Sequence, residues 1–205
     1  MDTTVISISR AMAAGGDDVA RTVAEKMGFR FIDDEIIEVA AEKAGVSPST
    51  IASVERTPSL IDRILKHLGN NPIEAGHGAY VPVVLNASES YEDLIAQVIR
   101  ETAQAGKVVI LAHGASIALR DTPGVLRALV TGSPDMRAER YRRDTGLKDS
   151  DARKEIDKSD RARREFLQRL YNVQHEMPSH YDLVVNTDRI SADSAAALIA
   201  TAAQS

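Results

Sequence analysis

At 205 residues the chain has room for one α/β domain, or for a core with one or two inserted subdomains. A net charge of −5 and a pI near 5.6 argue against a general nucleic-acid binder and a polybasic membrane anchor, and the lack of Cys excludes disulfides, thiolate metal sites and a cysteine nucleophile. No run approaches the ~18 apolar residues that span a bilayer, and the N-terminus has no signal-peptide core, so a cytoplasmic protein is expected.

Residues 5–8, Val-Ile-Ser-Ile, are short, β-branched and closed by small residues, the pattern of a buried parallel strand. After the small-residue stretch 9–15, Val19, Ala20, Val23, Ala24 and Met27 recur at helical spacing from Gly16 onward. Strand, small-residue loop and helix are the parts of a phosphate cradle, in which loop amides and a helix N-terminus face an anion. The competing reading is an ordinary βα turn whose Asp17 and Asp18 complement the helix dipole.

A second strand is expected over 29–32, ending in Asp33-Asp34, and a helix over 35–44 stopped by Gly45. Ser47-Pro48-Ser49 restarts a short helix with Ser47 as N-cap, another covers 58–68, and a Gly/Asn/Pro-punctuated connection follows at 69–87. A capped helix runs from Ser88 to Ala105, and the mostly apolar 107–112 predicts a central strand ending at His113-Gly114. Val125 to Thr131 is a further strand, with Ser133 as N-cap and Pro134 at the first position of the next helix.

From Arg137 to Arg169 twelve Lys/Arg stand against eight Asp/Glu, a local reversal of sign in an acidic chain, and Gly146 divides the stretch into a helical hairpin. The plain alternative is a solvated helix pair with i,i+4 ion pairs such as Asp157–Arg161. Residues 181–186 form the last strand, and Ser191 caps a terminal Ala-rich helix. His67, His77, His175 and His180 are scattered and none reads as a metal ligand.

This order implies a parallel five-stranded sheet with right-handed crossovers and helices on both faces, with ligands beyond the carboxyl ends of the strands. Four stretches lie there: Arg10 to Gly16, Asp33-Asp34, His113-Gly114, and Ser133 to Arg137. For Asp33-Asp34 a polar strand end with a helix cap is the bland alternative, and for His113 an unliganded turn histidine.

Ile8-Ser9-Arg10 with Gly15-Gly16, residues 31–37 (Phe-Ile-Asp-Asp-Glu-Ile-Ile), and residues 98–101 ahead of Val109-Ile110 follow one another in a familiar order. So do His113-Gly114-Ala115, Arg137-Ala138-Glu139-Arg140, Thr145-Gly146-Leu147, Asp160 with Arg163, and residues 181–187. Together they resemble the cytidylate kinase-like family of P-loop nucleoside monophosphate kinases over nearly the whole chain. The resemblance implies a three-layer P-loop fold with a CORE (1–33, 88–134 and 172–205), an NMP-binding insert (about 34–87) and an arginine-bearing LID (about 135–171). It further implies transfer of the ATP γ-phosphoryl group to a nucleoside monophosphate, CMP or dCMP favoured, with Mg²⁺, and with small-molecule nucleotides as partners rather than nucleic acid or membrane.

On the same resemblance the donor phosphates lie on Arg10, Ala11, Met12, Ala13, Ala14, Gly15, Gly16 and Asp17. Arg137, Arg163, Arg140, Arg161 and Arg164, with Asp160, carry the catalytic charge; Asp33, Asp34, His113 and Gly114 meet the acceptor. Cytidylate kinases have Lys and Ser/Thr where this chain has Gly16 and Asp17, and relatives usually have Gly at Ala13 and Arg at His113. No arginine near Val39 matches the one that contacts acceptor phosphate. Asp17 then either ligates magnesium or repels phosphate, by about 4 kcal/mol at 4 Å and an effective dielectric of ~20. The alternative function is a catalytically degenerate nucleotide- or anion-binding regulatory protein with the same fold.

Overall fold

The computed structural model describes residues 3–45, 47, 48, 91–111 and 114–205. The short helix expected to restart at Ser47, the helix 58–68, the connection 69–87, the Ser88 cap, and His67, His77, Ala112 and His113 therefore lie wholly or partly outside the described residues.

Strand β1 (Val5–Arg10) runs two residues further than the apolar run alone, through Ser9 and Arg10. Helix α1 (Gly16–Met27) starts and ends where the periodicity places it, and Gly28 closes it in the left-handed region. Strand β2 (Arg30–Ile32) is followed by α2 (Glu35–Ala44), α3 (Tyr91–Gln104), β3 (Val108–Leu111) and the single turn α4 (Ala115–Ala118). Strand β4 (Val125–Thr131) leads into α5 (Pro134–Thr145), where Ser133 Oγ accepts from the Met136 amide at 3.4 Å. Gly146, at φ 73°, separates α5 from α6 (Asp149–Tyr171). A 3₁₀ turn (Pro178–His180), β5 (Leu183–Asn186) and α7 (Ala192–Ala203) complete the chain. Strand β5 begins two residues later than its apolar pattern predicts, because Tyr181 and Asp182 are engaged by other groups.

The five strands are all parallel, in the order β2-β3-β1-β4-β5. Alternation along the strands gives the sheet two different faces. Ile6, Ile8, Val109, Leu111, Ala128, Val130 and Val185 pack with Val19, Ala20, Val23 and Ala24 of α1 and Ala195, Ala196 and Ile199 of α7. On the opposite face β1 places Ser7 and Ser9, both buried, whose hydroxyls lie 2.8 and 3.2 Å from Ser116 Oγ of α4. This hydroxyl cluster satisfies its own buried polar atoms and ties α4 to the central strand.

The chain divides into two compact units, one of Met1–Asp33 with Ile99–Ser205 and one of Asp34–Val98. The sheet and the α5–α6 hairpin belong to the first. In the second, α2 buries Ile36, Ile37, Ala40, Ala41 and Ala44 and is closed by Gly45 at φ 64°. Among the described residues no helix is long and apolar enough to cross a membrane.

Candidate functional site

At the carboxyl end of β1 the chain makes a tight turn before α1. The Ala14 amide donates to the Ala11 carbonyl at 3.1 Å, and the Ala11 amide to the Val130 carbonyl of β4 at 3.0 Å. Ala13, at φ 59°, and Gly15, at φ 75°, are both left-handed. Among the described residues the amides of Met12, Ala13, Gly15, Gly16 and Asp17 donate to no protein group. Donors left over at a helix N-terminus are what a bound anion uses. Arg10 Nε donates to Asp17 Oδ2 at 2.9 Å, so the Asp17 carboxylate meets a guanidinium and does not stand as a bare charge in the cradle.

Two side chains hold the loop from behind. The Thr187 hydroxyl lies 2.8 Å from the Ala14 carbonyl and 3.1 Å from that of Thr131, and Arg140 donates to it at 3.0 Å. Arg140 also donates to the Thr187 carbonyl. Arg137, only 3% exposed, donates to the Gly132 carbonyl at 3.0 Å, to the Met12 carbonyl at 3.3 Å, and in a fork to Asp160 at 3.0 and 2.7 Å. Asp188 accepts from the Ser133 amide at 2.8 Å. Loop, β4 end, β5 end and both hairpin helices thus meet at one place.

A cavity of about 300 Å³ opens there, lined by Ala11, Leu129 and Thr131 on the sheet side and by Arg137, Asp160, Arg163, Arg164, His175 and Glu176 on the other. Arg163 donates to Glu176 at 2.8 and 2.6 Å, and Glu176 also accepts from the Tyr181 hydroxyl. Burial alone would raise the Glu176 carboxyl, but the Arg163 fork outweighs it and holds it below the usual carboxylate range. Burial and the neighbouring Glu176 push the Tyr181 phenol up to about 12.

The expected residues therefore fall into three groups. Arg137, Arg163, Arg140 and Asp160 converge with the loop, each engaged by a protein partner. Arg161 and Arg164 are exposed on α6 with no partner among the described residues, and no Asp157–Arg161 pair forms. Of the residues expected to meet the acceptor, Asp34 precedes α2 without a side-chain capping bond, its carbonyl receiving the Ile37 and Glu38 amides at 2.9 and 3.2 Å. Gly114 begins α4 at φ 68°, and a Cβ on it would stand 2.2 Å from Tyr171 Cε2, so the ring at the end of α6 packs on bare backbone. Asp33 directly follows β2, and His113 is outside the described residues. Sequence reasoning missed Glu176 and His175 as lining residues and the anchors Thr131 and Asp188. The only advance signal was their position at or beyond the ends of expected strands and helices.

The set fits a polyphosphate: unengaged amides, a helix N-terminus and an accessible guanidinium share one loop. It does not form a self-sufficient cation site, since among the described residues no three His, Asp or Glu side chains are grouped to hold a metal.

Among curated proteins none matches the sequence. Of solved structures, an uncharacterized protein from Eubacterium ventriosum is similar at TM-score 0.66 and 18% identity, over 98% of each chain. Shikimate kinase from Bacteroides thetaiotaomicron is similar at 0.52 and 14% identity, over 98% of this chain and 99% of that one. A sugar kinase from a Janibacter species gives 0.50 and 13%, over 97% and 93%. These likenesses show that the chain shares their overall fold. Residues 5–189 match the cytidylate kinase-like family, and with nine-tenths of its length so matched the chain belongs to that family.

Proposed function

We propose that the chain is a phosphotransferase that moves the γ-phosphoryl group of ATP to a nucleoside monophosphate, CMP or dCMP favoured. One observation carries this reading: the loop of unengaged amides also lines, through Ala11, the arginine-rich cavity on the sheet's carboxyl side. Phosphoryl transfer needs little covalent help from the protein; positioning and neutralisation of charge dominate. Residues 10–17 hold the donor phosphates, and Arg161 and Arg164 add charge from the hairpin. Arg137 and Asp160 fix the loop, Arg140 holds Thr187 behind it, and Arg163 stands at the cavity for whichever phosphate enters. Asp33, Asp34, His113 and Gly114 serve the acceptor. ATP would bring the transferable phosphoryl group, and Mg²⁺ would arrive with the polyphosphate, with Asp17 available to it only after leaving Arg10.

A second reading, a regulatory nucleotide or anion binder without turnover, is favoured by one feature. The forks of Arg137 and Arg163 are already filled by Asp160 and Glu176. The two separate on one assay. With ATP-Mg²⁺ and each nucleoside monophosphate, the kinase forms ADP in an acceptor-dependent way and loses that activity in Arg163→Ala. A ligand at ~100 times its Kd adds about 2.7 kcal/mol, a rise of about 5–10 °C in Tm for a chain of this size. A shift without ADP supports the binder, and no shift with any nucleotide rejects both.

A further inference from the structure

We propose that Arg10 supplies the phosphate-binding cation of this loop, so that cation and glycine have exchanged ends relative to the usual arrangement. The proposal rests on the loop's reading as a polyphosphate site. In a G-x-x-x-x-G-K-[ST] loop the first residue is glycine and the seventh is the lysine that reaches the phosphates. Residues 10–16 of this chain read Arg-Ala-Met-Ala-Ala-Gly-Gly, with the arginine first and a glycine seventh.

The geometry explains why the two changes go together. A Cβ on Gly16 would lie 2.5 Å from Arg10 Cβ, 3.1 Å from its Cδ and 3.3 Å from its Cγ. The closest of these atoms is the root of the arginine, fixed by the strand, so it cannot swing aside. Gly16 opens α1 with helical backbone that any residue adopts, so nothing but this contact requires glycine there. The gap between strand end and helix start admits one side chain, entering from one side or the other. Here it enters from β1.

Its guanidinium reaches the first turn of α1, where Nε meets Asp17 Oδ2 at 2.9 Å. The Arg10 side chain is 25% exposed and that of Asp17 56%, so an anion from solvent can reach the pair. Asp17 occupies the position of the Ser/Thr, and its carboxylate covers the cation until phosphate oxygens replace it. The planar fork suits that exchange, since it binds two oxygens as readily from phosphate as from carboxylate.

Binding of inorganic tripolyphosphate in EDTA, followed by calorimetry on the full chain, tests the exchange. Arg10→Gly and Gly16→Lys are each expected to weaken binding about tenfold or more, the first by losing the cation and the second by forcing two side chains into one gap. The double swap, Arg10→Gly with Gly16→Lys, is expected to return to within about threefold of the parent. Asp17→Asn is expected to tighten binding about threefold, because the competing carboxylate is gone. Arg10→Gln replaces Arg10→Gly should that variant fail to fold by circular dichroism. If the parent binds tripolyphosphate but loss of Arg10 leaves affinity unchanged, the swap does not rescue, or Asp17→Asn weakens binding, the inference is wrong while the loop's reading stands. If the parent binds neither tripolyphosphate nor ATP, both fall.

Discussion

Arg137 and Arg164 sit on the same hairpin and differ in what their guanidinium groups touch. Arg137 is buried and uses Nε and both terminal nitrogens on Gly132, Met12 and Asp160. Arg164 is exposed, without a partner among the described residues. Truncating one member of a buried ion pair leaves the other uncompensated, at 3–5 kcal/mol when both are fully buried. Asp160 keeps 27% of its side-chain exposure, so water recovers part of the loss, and Arg137→Ala is expected to cost about 2–3 kcal/mol in urea unfolding. Arg164→Ala is expected to leave the unfolding midpoint unchanged while weakening nucleotide binding. Ala13 gives a second contrast. Its φ of 59° carries a left-handed penalty of about 1 kcal/mol that glycine escapes, but glycine adds a similar entropy to the unfolded chain. Ala13→Gly is therefore expected to be near neutral, and Ala13→Val, β-branched at positive φ, to lower stability by about 1–2 kcal/mol.

Between elements, the edge strand β5 is fastened to β4 by Asp182. Its carboxylate accepts from the Arg127 amide at 2.9 Å and from the guanidinium at 3.0 and 2.6 Å, and its amide donates to the Arg127 carbonyl at 2.8 Å. Hydrogen bonding to Arg127 holds the Asp182 carboxyl below its ordinary value. A depressed folded-state pKa contributes stability above the unfolded value, near 3.9, and loses it as pH falls through the folded one. Asp182→Asn is thus expected to melt below the parent at pH 7, by about 1 kcal/mol given a carboxylate about one-third exposed, with the gap narrowing below about pH 4. Thermal melts of both proteins from pH 7 to 2.5 check it; a gap that stays constant would remove the ion pair from the account. Asp182 also shows where the sequence was legible. The bounds of α1, α2 and β4 followed from apolar period and glycine stops, which are local. The start of β5 did not, because Tyr181 and Asp182 have strand-like neighbours yet bind groups 55 residues and more away or on other elements. The candidate site was half legible for the same reason. Arg137, Arg163 and the loop could be picked out by residue type, but that Asp160 and Glu176 fill their forks depends on how α6 and residues 172–182 fold back.

At the scale of the whole molecule two charges compete for an approaching anion. The chain carries −5 overall, which repels polyphosphate at long range, yet the hairpin from Arg137 to Arg169 has twelve cations against eight anions. Several of those cations are tied up: Arg142 with Glu139, Arg153 with Asp149 and Asp135, Lys154 with Asp151, Lys158 with Glu155. Arg161 and Arg164 remain exposed on α6, and Arg164 lines the cavity. Fields reach about a Debye length, ~10 Å at 0.1 M salt, so an anion near the hairpin responds to these two more than to distant carboxylates. The two possibilities have opposite signs. If net charge governs the encounter, salt screens a repulsion and the association rate rises with ionic strength; if the hairpin governs it, salt screens an attraction and the rate falls. Stopped-flow association of a fluorescent ATP analogue between 20 and 500 mM salt is expected to slow, with the slope largely abolished in Arg161→Glu/Arg164→Glu. Because neither side chain supports the fold, the double variant is expected to keep the parent's melting temperature, so a lost slope with an intact melt assigns the steering to these two arginines.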